Sequence, residues 1–231
     1  MSNTTRENEC AECLYKSYLF NYLAKQEVGL VSLNKKNISV EKGEVICQEG
    51  EAIKHLVYLK EGLVKLYKTG QGRSQQIISI ATPRDFIGLL SIFSNTEHVY
   101  SLAALEDSSL CMIDLDVIKK IILQNGKFAL NLIEKMNRIS DVVLSNKVEL
   151  GIKQLRGRIA HILLMFADQV YESDIYELPV SRKEIGELID MRTENVVRIL
   201  SEFRKDQLIG IEGKKIEIKN KPMLEKISEL G

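Results

Sequence analysis

Residues 179–220 read PVSRKEIGELIDMRTENVVRILSEFRKDQLIGIEGKKIEIKN and carry the clearest structural signal in the chain. Ser181 is followed three residues later by Glu184, which is the spacing of a capping box at the start of a helix. Residues 190–192 then form a short connection, and Thr193 is expected to cap a second helix. The pattern predicts two helices joined by a tight turn, which is a helix-turn-helix.

The second helix of this motif has an apolar face and a polar face. Gly210, Gly213 and an alternating strand at Lys215–Ile218 follow it, and they predict a two-stranded wing suited to a phosphate backbone. The residues on the inward face are Val196, Ile199, Leu200 and Phe203. The residues predicted to face DNA are Ser181, Arg182, Arg192, Thr193, Glu194, Asn195, Val197, Arg198 and Ser201 in the helices, with Lys214 and Lys215 in the wing.

The polar face of the second helix has side chains suited to reading bases. An arginine such as Arg198 in the first turns of a recognition helix can bond guanine O6 and N7 with two donors. Glu194, four residues earlier, can accept from a cytosine N4 amine and also orient Arg198. The alternative is an ordinary surface ion pair at i,i+4 spacing, which stabilises a helix by about 0.3–0.5 kcal/mol.

A long helix is predicted before the motif, because residues 127–150 contain no Gly or Pro. Its apolar residues recur at steps of three and four, which is typical of the a/d seam of a coiled coil. The predicted dimer residues are Leu132, Met136, Ile139, Val143, Asn146 and Leu150. The alternative is that this helix packs on its own domain.

Residues 28–114 indicate a β domain. Glycines recur between short strand-like runs, and the KTGQGR stretch at residues 68–73 is typical of a hairpin tip. Many short, evenly spaced strands favour a small barrel or jelly roll over a parallel α/β sheet.

Composition excludes several classes of protein. The 32 basic and 32 acidic residues give zero net charge, which speaks against a polycation, and residues 181–221 have a surplus of only two, ten basic against eight acidic. The sequence has no run of eighteen apolar residues, so no membrane span is predicted. Its polar, acidic start does not resemble a secretory signal, and a cytoplasmic location is therefore expected. The sequence contains no hydrolase or nucleotide-triphosphatase motif, so an enzyme is not predicted.

These features together resemble the family of the cyclic-AMP receptor protein and the fumarate-nitrate regulator. The stretches that carry the resemblance are EKGEVICQEGE at 41–51, YLKEGLVKLY at 58–67, RDFIGLLSIF at 84–93, ALEDSSL at 104–110 and the helix-turn-helix at 181–209. The resemblance implies an α+β fold with a cyclic-nucleotide-binding-type β-roll (jelly roll), a long dimerisation helix and a C-terminal winged helix-turn-helix. The expected divisions are a cysteine-containing segment at 1–22, the β-roll at 23–120, the helix at 121–150 and the DNA-binding domain at 151–231.

In that family the recognition helix carries a Glu and an Arg four residues apart, which fall here on Glu194 and Arg198. The resemblance therefore implies a homodimer that binds an inverted repeat of double-stranded DNA with TGA-containing half-sites, and contacts RNA polymerase if it is an activator. Thr193 replaces an Arg and Val197 replaces a Ser of the two best-known relatives. Because a valine can only touch a thymine methyl group, the outer base of the half-site is left unassigned.

The β-roll is expected to respond to a small-molecule effector or a redox signal, whose identity the resemblance does not indicate. Nucleotide-binding relatives carry a Glu in a G-E-L stretch and an Arg in an R-S-A stretch, whereas this chain has Leu at the first position and no Arg at the second. Since a buried phosphate without a partner is costly, cyclic AMP is not expected to bind. The candidate effector-pocket residues are Gly88, Leu89, Leu90, His98, Val99, Tyr100 and Ser101.

The cysteines predict a second kind of site. Cys10, Cys13 and Cys111 resemble cysteines that hold an oxygen-sensing iron–sulfur cluster in fumarate-nitrate-type regulators, with Cys47 as the fourth candidate metal ligand. The alternatives are a thiol redox pair at Cys10 and Cys13, or cysteines that serve as small buried apolar residues.

Two other classes of function compete with the regulator. One is a β-roll adaptor that gates a protein partner, and the other is a thiol or metal redox protein that uses Cys10 and Cys13. The first leaves the recognition helix and wing unexplained, and the second lacks the βαβ context of such redox motifs.

Overall fold

The computed structural model describes residues 10–70 and 75–231, so residues 1–9 of the N-terminal segment and part of the predicted hairpin tip lie outside it. The chain divides into two compact units, Met1–Lys68 with Ser79–Val142, and Thr69–Ile78 with Val143–Gly231. Within the described ranges, no helix is long and apolar enough to cross a membrane.

The N-terminal part is a β-roll of two four-stranded sheets, as the sequence predicted. One sheet has the order β1-β8-β3-β6 and the other β2-β7-β4-β5. The strands are β1 Lys35–Val40, β2 Val45–Cys47, β3 His55–Glu61, β4 Val64–Thr69, β5 Gln75–Ala81, β6 Phe86–Ile87, β7 Ser101–Ala104 and β8 Ser108–Asp114. The helices are α1 Lys25–Leu33, α2 Leu115–Gln124 and the long α3 Gly126–Ile152, and a 3₁₀ turn lies at Tyr18–Tyr22.

The first sheet is buried on both faces. Successive side chains of a strand point to opposite faces, so Val57 and Leu59 of β3 enter the core between the sheets while Leu56 and Tyr58 enter an outer core. That outer core is completed by the N-terminal segment and the helices, including Leu19, Phe20, Ile118, Ile121 and Phe128. The strand β3 therefore reads as a continuous apolar run rather than an alternating one.

The predicted dimer seam of the long helix needs correction. Leu132 is only 3% exposed and belongs to the outer core of its own domain, and Met136 and Ile139 pack against that core. Leu132 is therefore buried by its own domain, as the alternative interpretation held, whereas Met136 and Ile139 stay partly exposed. Further along α3, Val143 and Leu150 are half-buried and Asn146 is exposed.

The C-terminal unit is a winged helix-turn-helix. Its helices are α4 Leu155–Met165, followed by a π turn at Phe166–Val170, α5 Arg182–Ile189, α6 Thr193–Lys205 and α7 Lys221–Leu230. The wing strands are β9 Ile175–Glu177, β10 Ile209–Glu212 and β11 Lys215–Ile218. The order β10-β11-β9 makes the sheet three-stranded, whereas the sequence predicted two strands.

The first helix of the motif begins as predicted and the second does not. The Ser181 hydroxyl accepts from the Glu184 N–H, and a Glu184 carboxylate oxygen accepts from the Ser181 N–H at 2.9 Å, which closes the capping box. Thr193, however, is the first residue of α6 rather than its cap. Arg192 holds the capping position without a side-chain hydrogen bond, so the start of α6 depends on the turn before it.

That turn requires glycine at position 186. A Cβ on Gly186 would lie 2.3 Å from the carbonyl oxygen of Met191, a backbone atom that cannot move aside cheaply. Asp190 ends α5 in the left-handed region at φ 52° and brings the chain back over Gly186. The angle between α5 and α6 therefore depends on this close backbone approach.

We expect Gly186→Ala to destabilise the helix-turn-helix by about 1–3 kcal/mol, because the added methyl group overpacks against backbone. Faster amide hydrogen exchange in peptides covering α5 and α6 of the full chain would report it. The control is Gly29→Ala, a helix-interior position where a Cβ meets nothing within 4 Å. Unchanged exchange in both variants would contradict the role assigned to Gly186.

Candidate nucleic-acid interface and buried cavities

The recognition helix α6 is buried on one side and open on the other. Val196, Ile199 and Phe203 are completely buried and Leu200 is 2% exposed, as the sequence predicted. On the opposite side, Val197 is 49% exposed. Glu194, Arg198, Ser201 and the preceding Arg192 are also exposed, and Thr193 and Asn195 are half-buried. The structure thus gathers the predicted base-reading residues on one solvent-facing surface.

The wing presents two lysines at its tip. Lys214 and Lys215 are exposed and lie in the turn and first position of β11, where Glu212 pairs with Lys215 across the hairpin. Gly213 has φ 61° in this turn, in the left-handed region that favours glycine. The two lysines therefore lie side by side at the tip of the hairpin.

Two predicted DNA-facing residues are partly engaged in the fold. The hydroxyl of Ser181 belongs to the capping box and donates to Glu184 at 2.9 Å. Arg182 is half-buried, and burial lowers its pKa while the nearby Tyr176 raises it. Both residues remain at the start of α5; the sequence predicted the capping role of Ser181 but not the partial burial of Arg182.

Arg198 forms an ion pair that the sequence analysis missed. Its Nη1 donates to Glu202, four residues later, and not to Glu194, four residues earlier. The other carboxylate oxygen of Glu202 accepts from Arg156 of α4 at 2.6 Å. The spacing from 198 to 202 was visible in the sequence, but the anchor at Arg156 was not, because it lies 46 residues away.

The β-roll holds a small cavity at part of the predicted effector site. The cavity has a volume of about 10 Å³, and Gly88, His98 and Tyr100 line it together with His55, which the sequence analysis missed. That volume suits roughly one water molecule. Burial lowers the pKa of His98, while the carboxylate of Glu51 raises it.

The other predicted effector residues lie elsewhere. Leu89 is 1% exposed and belongs to the outer core, and Leu90 is 40% exposed. The buried Ser101 accepts a hydrogen bond from the Glu49 N–H at 3.0 Å, and Val99 is half-buried. That cyclic AMP does not bind stays a prediction.

Three of the four cysteines line one cavity. Cys10, Cys13 and Cys111 surround a space of about 20 Å³, together with Lys35 and Lys60. Burial raises the pKa of Cys111 to about 12, and the two lysines act in the opposite direction. None of the four cysteines, which all lie in the described ranges, forms a disulfide.

Comparison with known proteins identifies the two halves of the chain. The cyclic nucleotide-binding domain family matches residues 37–125, and the Crp-like helix-turn-helix domain family matches residues 157–227. The chain is 26% identical to the transcriptional activator protein Anr of Pseudomonas protegens over 188 residues, 80% of this chain and 77% of Anr. It is 25% identical to the fumarate and nitrate reduction regulatory protein of Yersinia pestis over 197 residues, 82% and 77% of the two chains.

The chain belongs to the Crp/Fnr family of transcription regulators. Solved structures have the same fold. FixK2 from Bradyrhizobium japonicum has a TM-score of 0.76 at 24% identity, covering 84% of this chain and 96% of FixK2. A crp/fnr family regulator from Eubacterium rectale has a TM-score of 0.76 at 21% identity, covering 92% and 98%. The helix-turn-helix makes this chain a DNA-binding transcription regulator of the Crp/Fnr type.

The cysteines of this Crp/Fnr chain do not fit an iron–sulfur cluster, which needs about four thiolate ligands. Cys47 lies in the core between the sheets, apart from the cavity that Cys10, Cys13 and Cys111 line, and burial with the nearby Glu51 raises its pKa to about 11. Among the residues that the structure describes, no group of three or more His, Cys, Asp or Glu is placed to hold a metal ion.

The burial of the thiols predicts unequal reactivity. At pH 8 we expect iodoacetamide to alkylate the half-buried Cys13 first, because a thiol with a pKa of about 12, such as Cys111, is roughly one part in ten thousand thiolate. Raising the pH toward 9 should leave Cys47 and Cys111 slow. Mass spectrometry of the native chain measures the order, with the urea-unfolded chain as control, and alkylation of Cys111 as fast as Cys13 would overturn the prediction.

Proposed function

We propose that this regulator binds, as a homodimer, an inverted repeat of double-stranded DNA with TGA-containing half-sites. The observation that carries the proposal is the recognition helix, whose inward face is fully buried while Glu194, Val197 and Arg198 face solvent together. A helix of this kind fits the major groove with its N-terminal residues against the base edges.

Each exposed side chain of this surface has a base that suits it. Arg198 has two adjacent N–H donors for guanine O6 and N7, and Glu194 accepts from a cytosine N4 amine. Val197 offers a methyl contact to thymine, in place of the hydrogen bond that a serine would make. Arg192, Lys214 and Lys215 contribute positive charge to the phosphate backbone, and Thr193, Asn195 and Ser201 add short polar contacts.

The dimer interface is an exposed face of α3 that differs from the seam predicted from the sequence. Leu130, Ile133, Leu144 and Val148 are between 52% and 61% exposed. At the α-helical repeat they share one face, roughly a third of a turn from the stripe that begins at Leu132. Burying these apolar side chains against a second copy would give the two-fold symmetry of an inverted repeat.

A signal at the β-roll sets how much of the dimer is in its DNA-binding form. The effector is a small molecule that opens the cavity between Gly88, His98 and Tyr100, and it acts by binding one form more tightly than the other. RNA polymerase is the further partner if the protein activates transcription.

Arg198→Ala should reduce discrimination between the TGA repeat and a repeat with the guanine changed to adenine, by about 1–3 kcal/mol. Lys215→Ala is the matched control, because a phosphate contact should weaken binding to both sequences equally and reduce the salt slope by about one. Gel shifts at several salt concentrations measure both. Sequence-specific binding left intact in Arg198→Ala would refute the assignment.

Leu144→Glu should produce a monomer, because two carboxylates would be buried at the proposed interface without partners. The control is Val142→Glu, since Val142 is 59% exposed like Leu144 at 61% but lies on another side of α3. Analytical ultracentrifugation should show a dimer for Val142→Glu and a monomer for Leu144→Glu. Dimers in both variants would place the interface elsewhere.

A further inference from the structure

Four charged side chains form a continuous chain of hydrogen bonds that ends at Arg198. Nη1 of Arg198 donates to Oε1 of Glu202, and Oε2 of Glu202 accepts from Nη1 of Arg156 at 2.6 Å. Nη2 of Arg156 donates to Asp206 at 3.0 Å. Each oxygen of Glu202 thus has its own guanidinium partner.

Arg156 is the anchored member of this chain. Its guanidinium carbon lies 4.9 Å from the ring centroid of Phe203, and that ring is completely buried. Two carboxylates and one aromatic face therefore restrain Arg156, which is itself part of α4. Because Arg156 is restrained, the carboxylate of Glu202 is held in place as well.

The restraint reaches Arg198 without blocking its donors. The side chain of Arg198 is 56% exposed, and within the described part of the chain only its Nη1 has a partner. Nε and Nη2, which form the other edge of the guanidinium, have no hydrogen-bond partner among the described residues. Two adjacent N–H groups are what a side-on contact with guanine O6 and N7 needs.

We infer that Glu202 is the positioning residue for base reading by Arg198, with Arg156 holding Glu202 in place. This inference rests on the proposed function, in which Arg198 reads guanine. It reassigns the orienting role that the sequence gave to Glu194. The carboxylate of Glu194 is then available to accept a hydrogen bond from a base. Because Glu202 already restricts the rotamers of Arg198, Arg198 loses less conformational freedom when it binds DNA.

Positioning of Arg198 by Glu202 changes the ratio of the affinities for the correct and the altered DNA sequence, rather than the affinity for DNA in general. Removing the negative charge of Glu202 raises affinity for any DNA, because the charge repels phosphate. Loss of positioning lowers only the preference for the correct base. The readout is therefore the affinity for an inverted TGA repeat divided by the affinity for the same duplex with TAA.

Glu202→Ala should lower this ratio by about 2- to 12-fold, the range expected for one immobilised long side chain. Asp206→Ala is the matched control, since Asp206 carries the same charge and also pairs with Arg156 but does not contact Arg198. That variant should bind both duplexes more tightly and lower the ratio by less than Glu202→Ala does, because Glu202 and the Phe203 ring still hold Arg156. An unchanged ratio in Glu202→Ala overturns the inference.

A second background separates positioning from folding. In a chain that already carries Arg198→Ala, Glu202→Ala should change the ratio no further, whereas a general structural defect would lower it again and overturn the inference. Glu202→Gln keeps an acceptor for Arg198 and should fall between the parent and Glu202→Ala, which keeps the test available if the alanine variant unfolds. If Arg198→Ala itself leaves the ratio intact, the proposed function fails, and that result is distinct from the failure of Glu202.

Discussion

Arg198 faces solvent only because the opposite face of its helix is buried. The inward side chains of α6 are almost completely buried. Each contributes about 1.5–3 kcal/mol relative to an exposed side chain. Rotating the helix by one residue would turn this face by about 100°, exposing those side chains and burying charged ones. The burial therefore fixes which residues a groove can meet, and the Gly186–Met191 approach fixes the angle at which the helix is presented.

Local signals in the sequence were sufficient for several elements of the fold. The Ser181 capping box, the inward face of α6 and the strand β11 depend on residues within one or two turns of each other, so their spacing identifies them. For the apolar stripe of α3, local signals in the sequence were not sufficient. Its period correctly predicted a helix with an apolar face. Periodicity does not say whether a partner or the chain's own domain buries that face, and Leu132 is buried in the outer core of its own domain.

The details of the candidate site were harder to predict because they depend on distant contacts. Glu194 and Glu202 lie at equal spacing on either side of Arg198, so helical geometry alone does not choose between them. Arg156 makes the choice by fixing Glu202 from another helix. The placement of the cysteines also depends on distant contacts. Cys47 lies in the core between the sheets, whereas Cys111 lies on the outer face of the first sheet. Leu89, which stands where nucleotide-binding relatives carry a Glu, is likewise buried among apolar side chains.

The central claim is that two copies of α6 read a symmetric DNA sequence. Selection of bound duplexes from a random pool by the full-length protein tests it most directly. The account predicts enrichment of an inverted repeat whose half-sites contain TGA and whose centres lie about one helical turn apart. Recovery of no common sequence, or of a sequence without two-fold symmetry, would contradict it.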